Sequence, residues 1–238
     1  MMRTLTLIFG MSCLALANDE LRQTVQMAKT EHVDFPSGGT VRLKNSTGEL
    51  TLEGWDQPGV EITTVKSTKA AYTSTERGRA SRDLDKVQIA VERQGDELVI
   101  TTDFPRHRGF PPSSPLAGSR SFNLDYHIKV PRDARLVVDH DVGDVHFDDV
   151  RGDIHATTLR GGITLHLPEG GQYTIDAKSD LGSVTSDFSG SAKRRFWLVG
   201  HQFIQTSQAP HKLYLRDGFG DIIILKIRKP QTPPPLSR

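Results

Sequence analysis

Residues 143–169 read GDVHFDDVR GDIHATTLR GGITLHLPE when cut into nines. A glycine opens each unit, at Gly143, Gly152 and Gly161. Two places on stand Val145, Ile154 and Ile163, and four places on stand Phe147, Ala156 and Leu165. Seven places on stand Val150 and Leu159, before Pro168 breaks the pattern. Side chains alternate across a strand, so the first two sets share one face, while Asp144, His146, Asp153, His155 and Thr164 take the other. At about 3.3 Å per residue, nine residues supply one short strand and a turn. Two units then make one turn of a coil, as in nonapeptide rolls. This predicts Gly143 stacked against Gly161, with Gly152 on the opposite wall.

Spacing elsewhere extends the pattern. Gly143, Gly161, Gly182, Gly200 and Gly220 are separated by 18, 21, 18 and 20 residues, and Gly152, Gly171 and Gly190 by 19 and 19. The apolar partners return as Val184 after Gly182, and as Ile222 and Ile224 after Gly220. Gly48 precedes Leu50 and Leu52 in the same phase. The expected fold is all-β: a β-solenoid, β-helix-like, with about 18–21 residues per turn, as these spacings give. Each turn would bury its own aliphatics, at roughly 1.5–3 kcal/mol per large side chain. Glycine suits the corner because a sharp bend needs positive φ or close backbone approach.

Outward from the repeats, the chain reads as N-terminal short strands and a hairpin. Val41-Leu43, Leu50-Leu52 and Val60-Ile62 alternate between turn signals. Asn45-Ser46-Thr47 matches a glycosylation sequon and reads as a turn before Gly48. Residues 69–86 are a loop or a short surface helix. Val87-Ile89-Val91, Gln94-Gly95-Asp96 and Leu98-Ile100 form the hairpin. Phe122 to Val130 alternates without a fault. Residues 105–120 are rich in Pro, Gly and Ser and read as a mobile loop.

Residues 1–17 read as a signal peptide, with Arg3, an apolar run from Leu5 and an Ala15-Leu16-Ala17 cleavage site before Asn18. The apolar run is shorter than the roughly 20 residues that span a bilayer. Residues 18–31 are a polar lead-in, 32–229 a single domain, and 230–238 a Pro-rich tail expected to be disordered. Cleavage would remove Cys13, the one cysteine, leaving no disulfide, thiolate nucleophile or Cys-ligated metal. It would also remove Arg3 and leave 29 residues of each sign. That balance gives no electrostatic footprint for nucleic acid or an anionic membrane.

Two longer stretches carry a resemblance. KNSTGELTLEGWDQPGVEI (residues 44–62) and VPRDARLVVDHDVGDVHFDDVRGDIHATTLRGGITL (residues 130–165) resemble the bacterial putative-adhesin domain family. The resemblance runs from about Thr40 to Ile227. It rests on the repeated G-acidic-aliphatic-x-aliphatic motif together with GWD and VPRDA. It implies exported proteins of solenoid-like β architecture and no accepted active site, so no catalytic residue carries over. The insertion starting at Pro105 departs from the family pattern.

The densest polar stretch is Asp139 to Asp153, with Asp139, Asp141, Asp144, Asp148, Asp149, Asp153, His140 and His146. Paired carboxylates there could hydrolyse a polysaccharide, and Asp with His could hold a divalent metal. The strand phase favours a solvated outer face instead. His146 and His155 should lie on opposite walls, unable to pair as ligands, and the calcium-roll signature G-G-x-G-x-D is missing. No nucleophile elbow, P-loop or dinucleotide fingerprint occurs. Trp55 and Trp197 are candidate sugar platforms but read as packing residues. Residues 192–196, AKRRF, form a small basic cluster.

The sequence thus predicts a non-catalytic interaction module, with no catalytic, cofactor-binding or metal residues and no cofactor. Its partner would be an envelope protein or a glycan, not nucleic acid, and its mature chain would carry no transmembrane segment. It would act in the periplasm, at the cell surface or after secretion. The alternatives are a carbohydrate-active enzyme using Asp139–Asp153 and a structural envelope component.

Overall fold

A computed structural model describes residues 22–103, 122–194 and 200–227. The signal segment, the 105–120 insertion, Trp197 and the Pro-rich tail lie outside them. In chain order the strands begin with β1 (Gln26–Val33), β2 (Thr40–Thr47), β3 (Glu49–Trp55) and β4 (Val60–Thr68). One helix, α1 (Arg77–Asp85), precedes β5 (Gln88–Gln94), β6 (Glu97–Asp103) and β7 (Phe122–Pro131). The repeats supply β8 (Arg135–Val142), β9 (Val145–Asp148), β10 (Ile154–Arg160), β11 (Ile163–Pro168), β12 (Tyr173–Ser179) and β13 (Val184–Ser186). Last come β14 (Ser191–Arg194), β15 (His201–Gln205), β16 (His211–Phe219) and β17 (Ile222–Ile227).

The fold is all-β, in two mixed sheets. The eight-stranded sheet has the order β1-β4-β7-β3-β9-β11-β17-β13, and the nine-stranded sheet the order β14-β15-β12-β16-β10-β8-β2-β6-β5. Parallel pairing fills the centre of each; antiparallel pairs close both edges of the nine-stranded sheet and the β1 edge of the eight-stranded one, while its β13 edge is parallel. The sheets share one hydrophobic core.

Alternation places the aliphatics as the repeat requires. Leu50, Val145, Ile163, Ile222 and Val184 lie in register across the eight-stranded sheet. On the other wall Val41, Leu136, Ile154, Leu213 and Ile175 do the same. All are fully buried except Val184, in the last and shortest strand, which is partly buried against the core. Of the seventh-place residues, Val150 is buried and Leu159 is exposed. In the first unit Asp149, at φ 54, interrupts the alternation, which turns Val150 inward. Strand β10 runs unbroken, so Thr158 takes the inward place and Leu159 faces out.

The chain passes from the nine-stranded to the eight-stranded sheet through Gly48, Gly143, Gly161, Gly220 and Gly182. A Cβ on Gly161 would lie 1.9 Å from the Gly143 carbonyl oxygen, and one on Gly143 would lie 2.0 Å from that of Gly48. A Cβ on Gly220 would meet the Gly161 oxygen at 1.7 Å, and one on Gly182 the Gly220 oxygen at 1.9 Å. No side chain fits between backbones stacked this closely. Gly143 does stack against Gly161, and Gly152 does lie at the opposite corner, against the Ala134 carbonyl.

Three expectations from the glycine spacing need correction. The levels are not stacked in chain order: β16 and β17, the last strands, insert between β10/β11 and β12/β13. Gly200 is not in the glycine column but abuts Ser179 and Asp180 ahead of β15, which runs antiparallel to β12. Gly171 and Gly190 form no second column, because each meets an aromatic ring, Tyr173 or Phe203. Inward aliphatics at every level are interchangeable, so periodicity sets the level but not its neighbour.

Strand β1 begins within the polar lead-in. It pairs antiparallel with β4 along its whole length, and its side chains stay largely outside the core. Backbone pairing, with the Thr30–Thr63 and His32–Glu61 contacts and partial packing of Met27 and Val33, holds this edge strand, whose sequence carries no regular apolar alternation. Residues 77–85 take the helical alternative, burying Ala80 and Leu84. The hairpin forms as read, with Gly95 at φ 65 in its turn.

Candidate functional site

The acidic stretch does not converge. Asp139 and Asp141 lie on β8 of the nine-stranded sheet, and Asp148 on β9 of the other. Most of its carboxylates hold levels together. Asp144 Oδ1 accepts a hydrogen bond from the Gly162 N–H at 2.7 Å, on the neighbouring level. Asp221, which follows Gly220 as Asp144 follows Gly143, accepts from the Ser183 N–H at 2.7 Å. Asp153 accepts from the Lys212 N–H at 3.0 Å. The acidic residue of the repeat is therefore a clamp between adjacent backbones, a bond strengthened by the charge on its acceptor. Asp148 pairs with His166 Nδ1 at 2.5 Å, and Asp149 with Arg132, which also binds Asp56.

The histidines separate as expected: His146 is on β9 and His155 on β10, in different sheets. Among the described residues no three His, Cys, Asp or Glu side chains are grouped to hold a metal ion. Trp55 is partly buried, donates from Nε1 to the Gly59 carbonyl at 3.1 Å, and carries Lys129 over its ring. It is tied into its own turn. Of the basic cluster, residues 192–194 lie exposed on β14.

Two arrangements escaped the sequence reading. The first is a row of polar side chains inside the glycine corner: Ser46, His140, Thr158, Asp217 and Ser179, in register across β2, β8, β10, β16 and β12. All five are buried. Ser46 Oγ meets His140 Nδ1 at 2.8 Å, and Ser179 Oγ donates to the Gly220 carbonyl at 2.7 Å. Burial pushes the His140 imidazole down to about 4. Burial, aided by the nearby Asp221, Asp144 and Asp180, pushes the Asp217 carboxyl up to about 7, although the Phe219 N–H pulls the other way. Desolvation thus keeps His140 neutral near neutral pH and leaves Asp217 holding part of its proton there. The signal was present in the alternation for His140, Thr158, Asp217 and Ser179, each two places after an inward aliphatic or alanine, whereas Ser46 reaches the row through a register shift after Leu43.

The second is the outer face of the nine-stranded sheet. His155 and Tyr214 are cross-strand neighbours with ring centroids 4.5 Å apart. The Arg216 guanidinium lies 3.7 Å from the Tyr214 centroid and also binds Asp176 at 2.7 Å. Beside them runs a shallow groove of about 320 Å³ lined by Asp139, Asp141, Thr157, Leu159, Lys178 and Arg216 among others. Burial, with the charge of Asp139, raises Asp141 above the usual carboxylate range. Tyr214, Leu159 and Phe219 are 38%, 44% and 49% exposed. Exposed aromatic and aliphatic groups near an arginine are the composition that interfaces favour.

No protein-family model matches the chain, and no curated protein matches it. Among solved structures it is similar to a putative cell adhesion protein of Clostridium sporogenes, at 12% identity and a TM-score of 0.47, over 84% of this chain and 99% of that one. It is also similar to a putative adhesin of Bacteroides fragilis, at 10% identity and a TM-score of 0.26, over 84% and 97%. A putative adhesin of Parabacteroides merdae gives 8% identity and 0.23, over 83% and 80%. These are adhesins by name, as is the family that the sequence motifs resemble.

Proposed function

We propose that the protein is an exported, non-catalytic interaction module that binds an envelope glycan or protein through the outer face of its nine-stranded sheet. One observation carries this reading: Asp144, Asp148, Asp149 and Asp153 are engaged by backbone amides, His166 and Arg132, while the exposed Tyr214 and Leu159 share the outer face of one sheet with the half-buried Arg216. In this reading residues 1–17 direct export and are removed, and the domain runs from β1 to about residue 229. Its coil is a β-solenoid of about 18–21 residues per turn, the spacing of Gly143, Gly161 and Gly182. The protein acts in the periplasm, at the cell surface or after secretion. No helix among the described residues is long and apolar enough to cross a membrane.

An array of envelope glycans and envelope proteins tests the reading. Saturable binding that falls about tenfold in Tyr214→Ala is expected, the loss of one aromatic hot spot. Binding indifferent to that change, or no binding at all, counts against it.

A second reading, polysaccharide hydrolysis, is favoured by one observation. Asp139 and Asp141 share the groove, and burial raises the Asp141 carboxyl. A carboxyl that keeps its proton longer beside a second carboxyl is what an acid role requires. Release of reducing ends by the wild type but not by Asp139→Asn or Asp141→Asn would replace the interaction module with an enzyme.

A further inference from the structure

The corner opposite the glycine column has a break. Strands β10 and β12 are each entered from the eight-stranded sheet, β10 through residues 149–153 and β12 through residues 169–172. Strand β16 lies between them but is entered from β15, within its own sheet, through residues 206–210. Among the described residues no segment crosses this corner at the level of β16. A pocket of about 440 Å³ opens there, between Arg151 on one side and the 168–172 turn on the other, with Pro210 and His211 beside it. That volume is in the range of small-ligand sites.

The pocket carries two polar groups that the fold leaves unanswered. Tyr173 is buried, and its hydroxyl makes no hydrogen bond. It lies against Gly171, where a Cβ would come within 2.6 Å of the hydroxyl and 2.3 Å of the ring. Glycine at 171 is therefore what lets the ring sit beneath the turn. A buried hydroxyl without a partner costs about 1–3 kcal/mol, so such groups are rare unless something else completes them. Arg151 is exposed, and its guanidinium forms no ion pair among the described residues. Burial pushes the Tyr173 phenol up to about 12 and so keeps it protonated, with the nearby charges of Arg151 and Asp149 acting in opposite directions. Pro168, Pro210 and the His211 ring, 6.2 Å from the Tyr173 ring, supply apolar walls.

We infer that this pocket binds a carboxylate-bearing pyranose, a uronic-acid unit of a polysaccharide. Guanidinium is the planar fork that matches a carboxylate. The Tyr173 hydroxyl completes its hydrogen bonding with a ring hydroxyl or the carboxylate, and the proline and imidazole faces pack on the sugar ring. The inference rests on the interaction-module reading and names a substrate class for it, at a site away from the Tyr214 wall.

Calorimetric titration of the full chain with a glucuronate-terminated disaccharide, its glucose-terminated counterpart and acetate tests the site. The glucuronate sugar should bind at least about tenfold more tightly than either control, one lost charged hydrogen-bond pair being worth roughly that factor. Arg151→Ala should remove that preference, Arg151→Lys should restore part of it, and Lys193→Ala on exposed β14 should leave it intact. Tyr173→Phe, which keeps the ring and removes the hydroxyl, should weaken binding severalfold without changing the melting profile's shape. No glucuronate binding, equal affinity for both sugars, or affinity unchanged in Arg151→Ala overturns the site. An envelope glycan that binds Arg151→Ala as well as wild type overturns the uronate site while keeping the interaction module. Absence of any envelope ligand removes both.

Discussion

The two corners of this molecule are built on opposite terms. At the glycine corner, five levels approach so closely that each glycine's missing Cβ is occupied by the carbonyl of the level beside it, for example 1.9 Å for Gly161 against Gly143. Aspartates that follow the glycines clamp neighbouring backbones, and a buried polar row lines the inside. At the other corner the turns differ from level to level. One uses Asp149 at positive φ, pinned by Arg132. Another uses Gly170 and Gly171 over a tyrosine, and one level has no crossing segment among those described. The regular corner fixes the register of the fold. The irregular one touches backbone to backbone only at some levels, as at Gly152 against Ala134, and has room for a ligand where the level of β16 has no crossing segment among those described.

Three experiments break or sharpen this contrast, taken from the largest effect to the smallest. Ile154 and His155 both leave the irregular corner on β10, one inward and one outward. Ile154→Asp should prevent folding, or cost more than about 4 kcal/mol, because it sets an unpaired carboxylate in the core. His155→Asp should stay within about 0.5–1 kcal/mol in the same denaturant titration, as exposed substitutions do. Equal losses would mean that the corner does not set the phase of the strand.

Next, Gly161→Ala should cost about 3 kcal/mol or more, from a strained φ of 136 and the carbonyl of Gly143 in the methyl's place. Gly170→Ala, where a Cβ meets nothing within 4 Å, should cost under about 1 kcal/mol. Similar midpoints for the two variants would erase the distinction between the corners.

The smallest effect is on pH dependence inside the glycine corner. His140 is lowered to about 4 on folding, so its contribution is lost as pH falls from its unfolded value of 6.5 towards 4. Asp217 is raised to about 7 from 3.8, so the native state holds its proton longer. Its contribution therefore shrinks as pH rises from about 4 to 7, the opposite direction. In the wild type the two oppose each other over most of that window. Asp217→Asn should therefore gain melting temperature over wild type, by an amount that grows from pH 4 to pH 7 and then levels off. An offset that is the same at every pH would show that Asp217 titrates normally in the fold.

Much of the candidate interaction surface was hidden in the sequence for a physical reason. His155, Tyr214 and Arg216 are up to 61 residues apart, and pairing of β10 with β16 is what brings His155 to Tyr214. The acidic stretch, conspicuous as a run of letters, is divided by strand alternation and by the corner between two sheets. The Arg151–Tyr173 pocket has no motif at all, since it arises where one level lacks a connecting turn. Strand β1 was equally silent, because its pairing rests mainly on backbone groups that any sequence supplies.

What the nine-residue repeat determined alone is local: a period of two along each strand, glycine where the backbone turns, and which side chains face the core. These follow from pleat geometry and from the absence of a Cβ, and both act over a few residues. The order of the levels was decided only in three dimensions. Leu50, Val145, Ile163, Ile222 and Val184 are near-equivalent surfaces to one another. Nothing in their periodicity favours one neighbour over the next, so the insertion of β16 and β17 depends on how the whole core closes, and with it the gap in the opposite corner.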